Sequence, residues 1–424
     1  LGIFVFAPQL IEIFAPTFVN EPEKFEITVN LTRIMAPYLL LVSLAALYMG
    51  ALNSLKVFFI PALAPVFFNL STIAAMIFLP DILTQNGWDA VYSLGIGVTI
   101  GGLFQGFVQF PQLFSRGFAP KWPRPLIYKQ TKEVFLKLGP GLIGFAATQI
   151  NLIVTTVLAS GTIVGAVSWL SYSFRLFQLP IGILSVSIGN SNLVHFSEAW
   201  RADNRKEAAD YLASSYFLTW LTIIPAIIIF AVYSQEIIHL IFEHGKFNSE
   251  DTKMTALALQ YYALGLPGYA LVKLFVPTLY SLEQHRFAVI SSVCSILFNI
   301  IFCVLLVPRF GFTVLALGTT LSMYINSLIL SSVIKSHLIL TLRYFLGWRW
   351  FKLIISGLIV AGIMQYAKNF IPFYELNFLQ KIFILSIELF IVAFSYILAL
   401  YLLGERKVIN QVLHKLQRKL GLRL

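Results

Sequence analysis

Charge is scarce in this chain. Of 424 residues only 12% are Asp, Glu, Lys or Arg, whereas 58% are hydrophobic and 38 are phenylalanine. A core of this length cannot hide so much apolar surface from water, so a water-soluble fold is excluded and lipid is the main solvent. Cysteine is almost missing: Cys294 and Cys303 lie nine positions apart in one apolar segment, roughly 13 Å along a helix, too far to pair with each other. They report no redox compartment. None of the six histidines has a second His or Cys at ligand spacing, which disfavours a metal-dependent or hydrolytic membrane enzyme. A glycine-rich phosphate loop is lacking too, and no cofactor is expected.

What is present is a series of apolar runs. Taking about 20 residues as one crossing, complete spans fall near 29–53, 57–80, 89–114, 134–159, 164–197, 208–233, 252–282, 287–308, 313–336, 350–372 and 379–403. Residues 1–15 begin in mid-apolar sequence, without the charged start or cleavage site of a signal peptide, and read as the end of a helix that starts upstream. The net charge of +11 comes from short loops, so no nucleic-acid face is expected. With the 15–28 loop placed outside, inward loops and tail hold twenty Lys and Arg against six on outward loops. The positive-inside rule then puts the C-terminus in the cytoplasm.

An internal repeat runs at an offset of about 225 to 230 residues. Gln9-Leu-Ile-Glu-Ile-Phe recurs as Gln235-Glu-Ile-Ile-His-Leu-Ile-Phe, Ser54-Leu-Lys as Ser281-Leu-Glu, and Phe68-Asn69 as Phe298-Asn299. Even spacing gives both copies one orientation, a parallel repeat about an axis along the membrane normal. The expected fold class is an all-α polytopic membrane protein: two pseudo-symmetric six-helix bundles, the first truncated, plus a C-terminal helix pair. The boundaries expected are 1–130 for the rest of the first bundle, 131–345 for the second, 346–404 for the pair and 405–424 for a basic amphipathic tail on the anionic inner leaflet.

Arg175 is the one charge in the run from Gly161 to His195. At hydrocarbon depth an arginine costs about 2.5 to 3.5 kcal/mol on translocon scales, which makes it a functional candidate by default. Apolar sequence extends to both sides farther than the side chain can snorkel. A guanidinium offers a planar fork to oxyanions, so an anionic phosphate is its natural ligand; the bland alternative is an arginine capping backbone carbonyls. Tyr172 and Gln178 stand three positions to either side and share its face. Pro180 and Gly182 bend the helix just beyond. Lys273, between Gly265-Leu-Pro-Gly268 and Pro277, is a second charge in a broken span. Gln149, Asn151 and Thr155 recur at helical spacing, as interhelical polar contacts or as part of a site. Arg33 and Lys137 sit near helix ends and snorkel. The carboxylates fall almost wholly in outer loops, as solvated surface, and no membrane-embedded carboxylate is read in the spans.

The segments Ser168-Trp-Leu-Ser-Tyr-Ser-Phe-Arg-Leu-Phe-Gln-Leu-Pro-Ile-Gly182, Leu240-Ile-Phe-Glu-His-Gly-Lys-Phe247, Val272-Lys-Leu-Phe-Val-Pro-Thr-Leu-Tyr-Ser281 and Ala51-Leu-Asn-Ser-Leu-Lys-Val-Phe-Phe-Ile-Pro-Ala-Leu-Ala-Pro65 resemble the MurJ (MviN) lipid II flippases. These belong to the multidrug and oligosaccharidyl-lipid exporter superfamily. The resemblance covers the whole chain and matches the plan that the repeat leads us to expect, a 14-helix parent in which about two helices precede this sequence. It implies movement of the undecaprenyl-pyrophosphate-linked peptidoglycan precursor to the outer leaflet of the bacterial inner membrane by alternating access. Arg175 would engage the pyrophosphate, and the final helix pair would hold the lipid tail. Some relatives carry carboxylates beside this arginine, where Phe174 and Gln178 stand here. Some build a sodium site, whose positions here are Thr155, Asn299, Cys303 and Thr319, all without a carboxylate. Expected partners are the lipid-linked precursor, membrane lipids and the cell wall synthesis machinery, with the chain itself a monomer. The alternatives are a related exporter of another polyprenyl-linked oligosaccharide or of cationic drugs, a polytopic enzyme of lipid-linked sugar metabolism, or a scaffold that does not transport.

Overall fold

The computed structural model describes residues 2–118, 149–338 and 348–405. Among them there are helices and turns but no strand, and the chain divides into two compact units, Leu1–Gly139 and Pro140–Leu424. It is an all-α polytopic membrane protein.

The first unit contains α1 (Gly2–Val5), α2 (Ala7–Phe14), α3 (Pro22–Ser54), α4 (Phe59–Phe78), α5 (Pro80–Gln85), α6 (Tyr92–Phe107) and α7 (Phe110–Ser115). Pro22 and Pro80 open their helices, where a missing N–H leaves no bond unmade. Lipid offers no hydrophobic drive between helices, so packing here depends on small residues that let backbones approach. In α6 a Cβ on Gly101 would stand 2.8 Å from the Phe68 carbonyl oxygen, and one on Gly102 2.5 Å from the Tyr38 ring. α6 thereby packs on both α3 and α4.

The second unit contains α8 (Gln149–Ser160), α9 (Ala166–Pro180), α10 (Val186–Arg201), α11 (Arg205–Val232), α12 (Ser234–Phe242), α13 (Ser249–Ala263), α14 (Leu266–Ser281), α15 (His285–Phe310), α16 (Thr313–Leu338), α17 (Trp348–Ala367) and α18 (Phe378–Leu402). Asn204 caps α11, and Asn248 with Asp251, like Asn377 with Gln380, forms a reciprocal capping box. α17 and α18 pack on each other and on α11, and α18 also meets α12.

Eight helices among the described residues are long and apolar enough to cross a membrane, and α13 with α14, bent by 46°, makes a ninth. The helical run Ala166 to Arg201, in which α9 passes through a π turn at Ile181–Ser185 into α10, is more polar and falls outside that count. Pro180 has no N–H to give the preceding turn, and the widened turn follows it directly. Of the span expected at 134–159, only α8 lies within the described residues. The expected boundaries at 130 and 345, Lys137 and the tail from residue 406 lie outside them.

The repeat has a packing counterpart. α16 lies on α13, α14 and α15 much as α6 lies on α3 and α4, and α2 precedes α3 as α12 precedes α13. The copies diverge at one point: Pro37 sits inside the continuous α3, whereas Pro267 opens α14 after a break. Gly265 and Gly268, which flank that break, come against Thr320 and Met323 of α16 at distances only glycine permits.

Candidate functional site

α9 buries Ala166, Trp169, Leu170, Ser173, Leu176 and Phe177, a stripe at helical spacing. Its exposed stripe is Ser168, Ser171, Arg175 and Gln178, with Leu179 beside it; Gly182 and Ile183 are exposed in the π turn, and Val186, Ser187, Asn190 and Ser191 on α10. On α18 the exposed positions are instead Phe383, Phe390, Phe394 and Leu398, a lipid-facing surface. A polar exposed face on a membrane helix is solvated by water or a polar ligand, because hydrocarbon cannot satisfy it.

Arg175 is exposed on that stripe and makes no hydrogen bond, ion pair or ring contact among the described residues. Its neighbours hold the helix in register. Phe174 lies edge-on to Tyr262 with ring centroids 5.3 Å apart, and Phe177 edge-on to Tyr269 at 4.9 Å. Trp169 donates its indole N–H to Asp251 at 2.8 Å. Gln178 is exposed beside Arg175. Tyr172 turns away, its ring 4.8 Å from Phe242 and 5.8 Å from Phe247, so it ties α9 to the end of α12 and the loop beyond.

Lys273 is exposed on α14 and has no partner among the described residues. Its backbone meets α10 at Gly189, where a Cβ would stand 2.5 Å from the Lys273 carbonyl oxygen. Gly189 lies about 21 Å along the helical run from Arg175. The backbone of Lys273 therefore meets the run well beyond Arg175.

Gln149, Asn151, Thr155 and Thr319 come together around a cavity of about 300 Å³, which Thr156, Ser171, Phe174, Tyr262 and Tyr269 also line. Ser171 belongs both to this cavity and to the exposed stripe, one turn before Arg175. Behind it the buried Asn299 donates to Asn151 at 2.7 Å and accepts from the Cys303 thiol at 3.4 Å. Of the positions expected for an ion, Asn299 and Cys303 thus bond each other, Thr319 donates to the Leu315 carbonyl of its own helix, and none of them is a carboxylate. No group of three His, Cys, Asp or Glu that could hold a metal occurs among the described residues.

Two readings of the carboxylates need correction. Glu388 stands in the middle of α18, only 5% exposed, so a membrane-embedded carboxylate does exist. A lone charge ten positions into an apolar helix was the available signal. Glu243 and Asp251 are also more than solvated surface. Glu243 accepts from Thr252 at 2.6 Å and lies 2.8 Å from His239 Nδ1. Burial by itself would raise its pKa; those hydrogen bonds, with the charges of His239 and Lys381, outweigh it and hold the carboxyl below the ordinary range. Nearby Tyr374 is pushed up to about 12, by burial first and then by the carboxylates of Glu236 and Glu243. Loop residues looked solvated because sequence cannot tell that the α17–α18 connection folds over them.

The family model described as "Lipid II flippase MurJ" matches residues 1–385. The probable lipid II flippase MurJ of Buchnera aphidicola subsp. Schizaphis graminum is 30% identical over 414 residues, 96% of this chain and 78% of that protein. Among solved structures, a lipid II flippase MurJ in an inward closed conformation superposes with a TM-score of 0.77 at 24% identity, covering 96% of this chain and 80% of that one. An inward-facing multidrug resistance MATE family transporter of the MOP superfamily reaches 0.63 at 12% identity, over 80% of this chain and 77% of that one. These two likenesses show the fold.

Proposed function

Because the chain belongs to the lipid II flippase MurJ family, we propose that it translocates lipid II from the inner to the outer leaflet of the bacterial inner membrane by alternating access. The observation that carries the site is Arg175: a guanidinium without a partner among the described residues, exposed on a polar stripe of its helix. An arginine kept for the fold would be bonded to carbonyls or a carboxylate. Left free, it offers its fork to the pyrophosphate. Gln178 and Ser171 flank it with neutral donors, and the cavity at Gln149 and Asn151 opens within reach of Ser171. Lys273, the exposed cation on α14, serves the headgroup at another stage of its passage. The apolar outer surfaces of α17 and α18 suit the polyprenyl tail.

Translocation itself makes and breaks no covalent bond, so the reading is of a transporter with no catalytic residue. The excess of Lys and Arg on alternate loops supports a cytoplasmic C-terminus. The chain acts as a monomer that hands its product to the cell wall synthesis machinery. Carrying a pyrophosphate outward from a negative interior gains about 2.3 kcal/mol per charge per 100 mV, so the membrane potential supplies a bias. Flipping that is unaffected by collapse of the potential would exclude that bias.

The test is lipid II accessibility at the outer leaflet in cells that depend on an Arg175→Ala variant. Loss of exposure with normal membrane insertion is expected; undiminished exposure would remove Arg175 from the mechanism. Export of cationic drugs is not favoured, since the carboxylate such a pump would use, Glu388, is buried behind α11 and α12 instead of open to a ligand.

A further inference from the structure

At the seam where α11 and α12 meet the C-terminal helix pair, two carboxylates are buried together. Glu236, in the first turn of α12, is 2% exposed, and Glu388, in α18, is 5% exposed. One cation faces them, Lys368, just past the end of α17. Its Nζ lies 2.7 Å from Glu236 Oε1, 2.9 Å from Glu236 Oε2 and 2.8 Å from the Val232 carbonyl oxygen. An ammonium has three N–H groups, and these three acceptors use all of them. None is left for Glu388.

The other group facing Glu388 is the phenol of Tyr233, at the junction of α11 and α12; Glu236 and Lys368 complete the charged and titratable groups around it. Tyr233 is fully buried and its hydroxyl has no close hydrogen-bond partner. An ionised carboxylate placed about 15 Å along α18 from its first residue, beside a second carboxylate and without a cation of its own, would carry the full cost of a buried charge. When two carboxylates share one ammonium in a low dielectric, the pair holds a proton between them.

We propose that this seam is a proton-binding site in which Glu388 carries one proton while Glu236 carries the charge that pairs with Lys368. The site has two balanced arrangements. In the other, Lys368 turns to Glu388, the O–H bond on Glu388 breaks and one forms on Glu236; the net charge of the cluster does not change. Glu236 is the carboxylate of the pair on α12, where His239 follows one turn on and meets Glu243 just past the helix end and Lys381 of α18, so the proton exchanges with water at that end. The C-terminal pair is then held on the second bundle by a contact that depends on proton occupancy, a role no part of the flipping mechanism above assigns to it.

The test is infrared titration of the purified protein in lipid nanodiscs. The carbonyl stretch of a protonated carboxylic acid is expected at neutral pH, absent in Glu388→Gln. It is also expected to vanish in Glu236→Gln, because Lys368 is released to pair with Glu388 and draws off its proton. A wild-type spectrum without the band, or a Glu388→Gln spectrum that keeps it, overturns the proposal. So does a band that survives in Glu236→Gln. Should Glu388→Gln fail to fold, Glu388→Asp supplies the reading: the acid that carries the proton is replaced by a shorter one and the band shifts, and an unshifted band places the proton elsewhere.

Discussion

Asn299 donates its side-chain amide to the carbonyl oxygen of Asn151 at 2.7 Å, joining α15 to α8 across 148 positions of sequence. With the Cys303 thiol donating to the same Asn299, two of the positions expected for a cation are neutral and already bonded. A hard cation would have to displace these bonds and would meet no carboxylate in return.

Translocation of lipid II is therefore expected to continue unchanged when sodium is replaced by choline at fixed ionic strength and fixed membrane potential. The measurement is the initial rate of flipping in proteoliposomes. A rate that collapses without sodium would place an ion in this network after all.

Arg175 on α9 and Lys273 on α14 share no partner among the described residues, so their effects should be independent. Arg175→Ala is expected to weaken binding of a pyrophosphate lipid by about tenfold or more, since a hydrogen bond to a charged group is worth about 1.5–3 kcal/mol. Arg175→Lys should fall between, keeping the charge and losing the fork. In the double variant with Lys273→Ala the losses should add within about 0.5 kcal/mol. Strong non-additivity in the binding isotherms would mean that one headgroup touches both.

Gly189 is where α10 touches the backbone of α14. A Cβ there would stand 2.5 Å from a carbonyl oxygen that belongs to a helix and cannot swing aside. Gly189→Ala should push the helices apart and cost about 1–3 kcal/mol, as overpacking does. It would appear as a lower unfolding temperature in detergent. Gly182→Ala, with nothing within 4 Å of the added atom, is the matched control and should leave it unchanged.

The depressed pKa of Glu243 sets a direction for acid stability. Its stabilising contribution is complete above the ordinary carboxylate value of about 4.3 and is lost as pH falls through the lower folded value. Unfolding temperature should therefore drop on the acid side of that window. Thr252→Val removes the 2.6 Å bond and should flatten that dependence. A variant as acid-sensitive as the wild type would shift the cause to another carboxylate.

Composition and spacing alone determined that this chain lives in lipid, where its helices cross and that Arg175 has no business there unless a ligand wants it. Those are one-dimensional facts, since the cost of a charge or the length of a crossing depends on local residues only. The repeat was also readable, because its copies keep their order along the chain. The tertiary structure decided which of the polar residues meet. Nothing near Tyr172 in sequence says that it packs on Phe242 and Phe247 while Arg175, three positions on, finds no partner among the described residues. Lys368 and Glu236 are 132 positions apart, and only the docking of the helix pair makes one the partner of the other and leaves Glu388 without a cation. Burial, and with it the price of a charge, is a property of neighbours that the chain brings together only by folding.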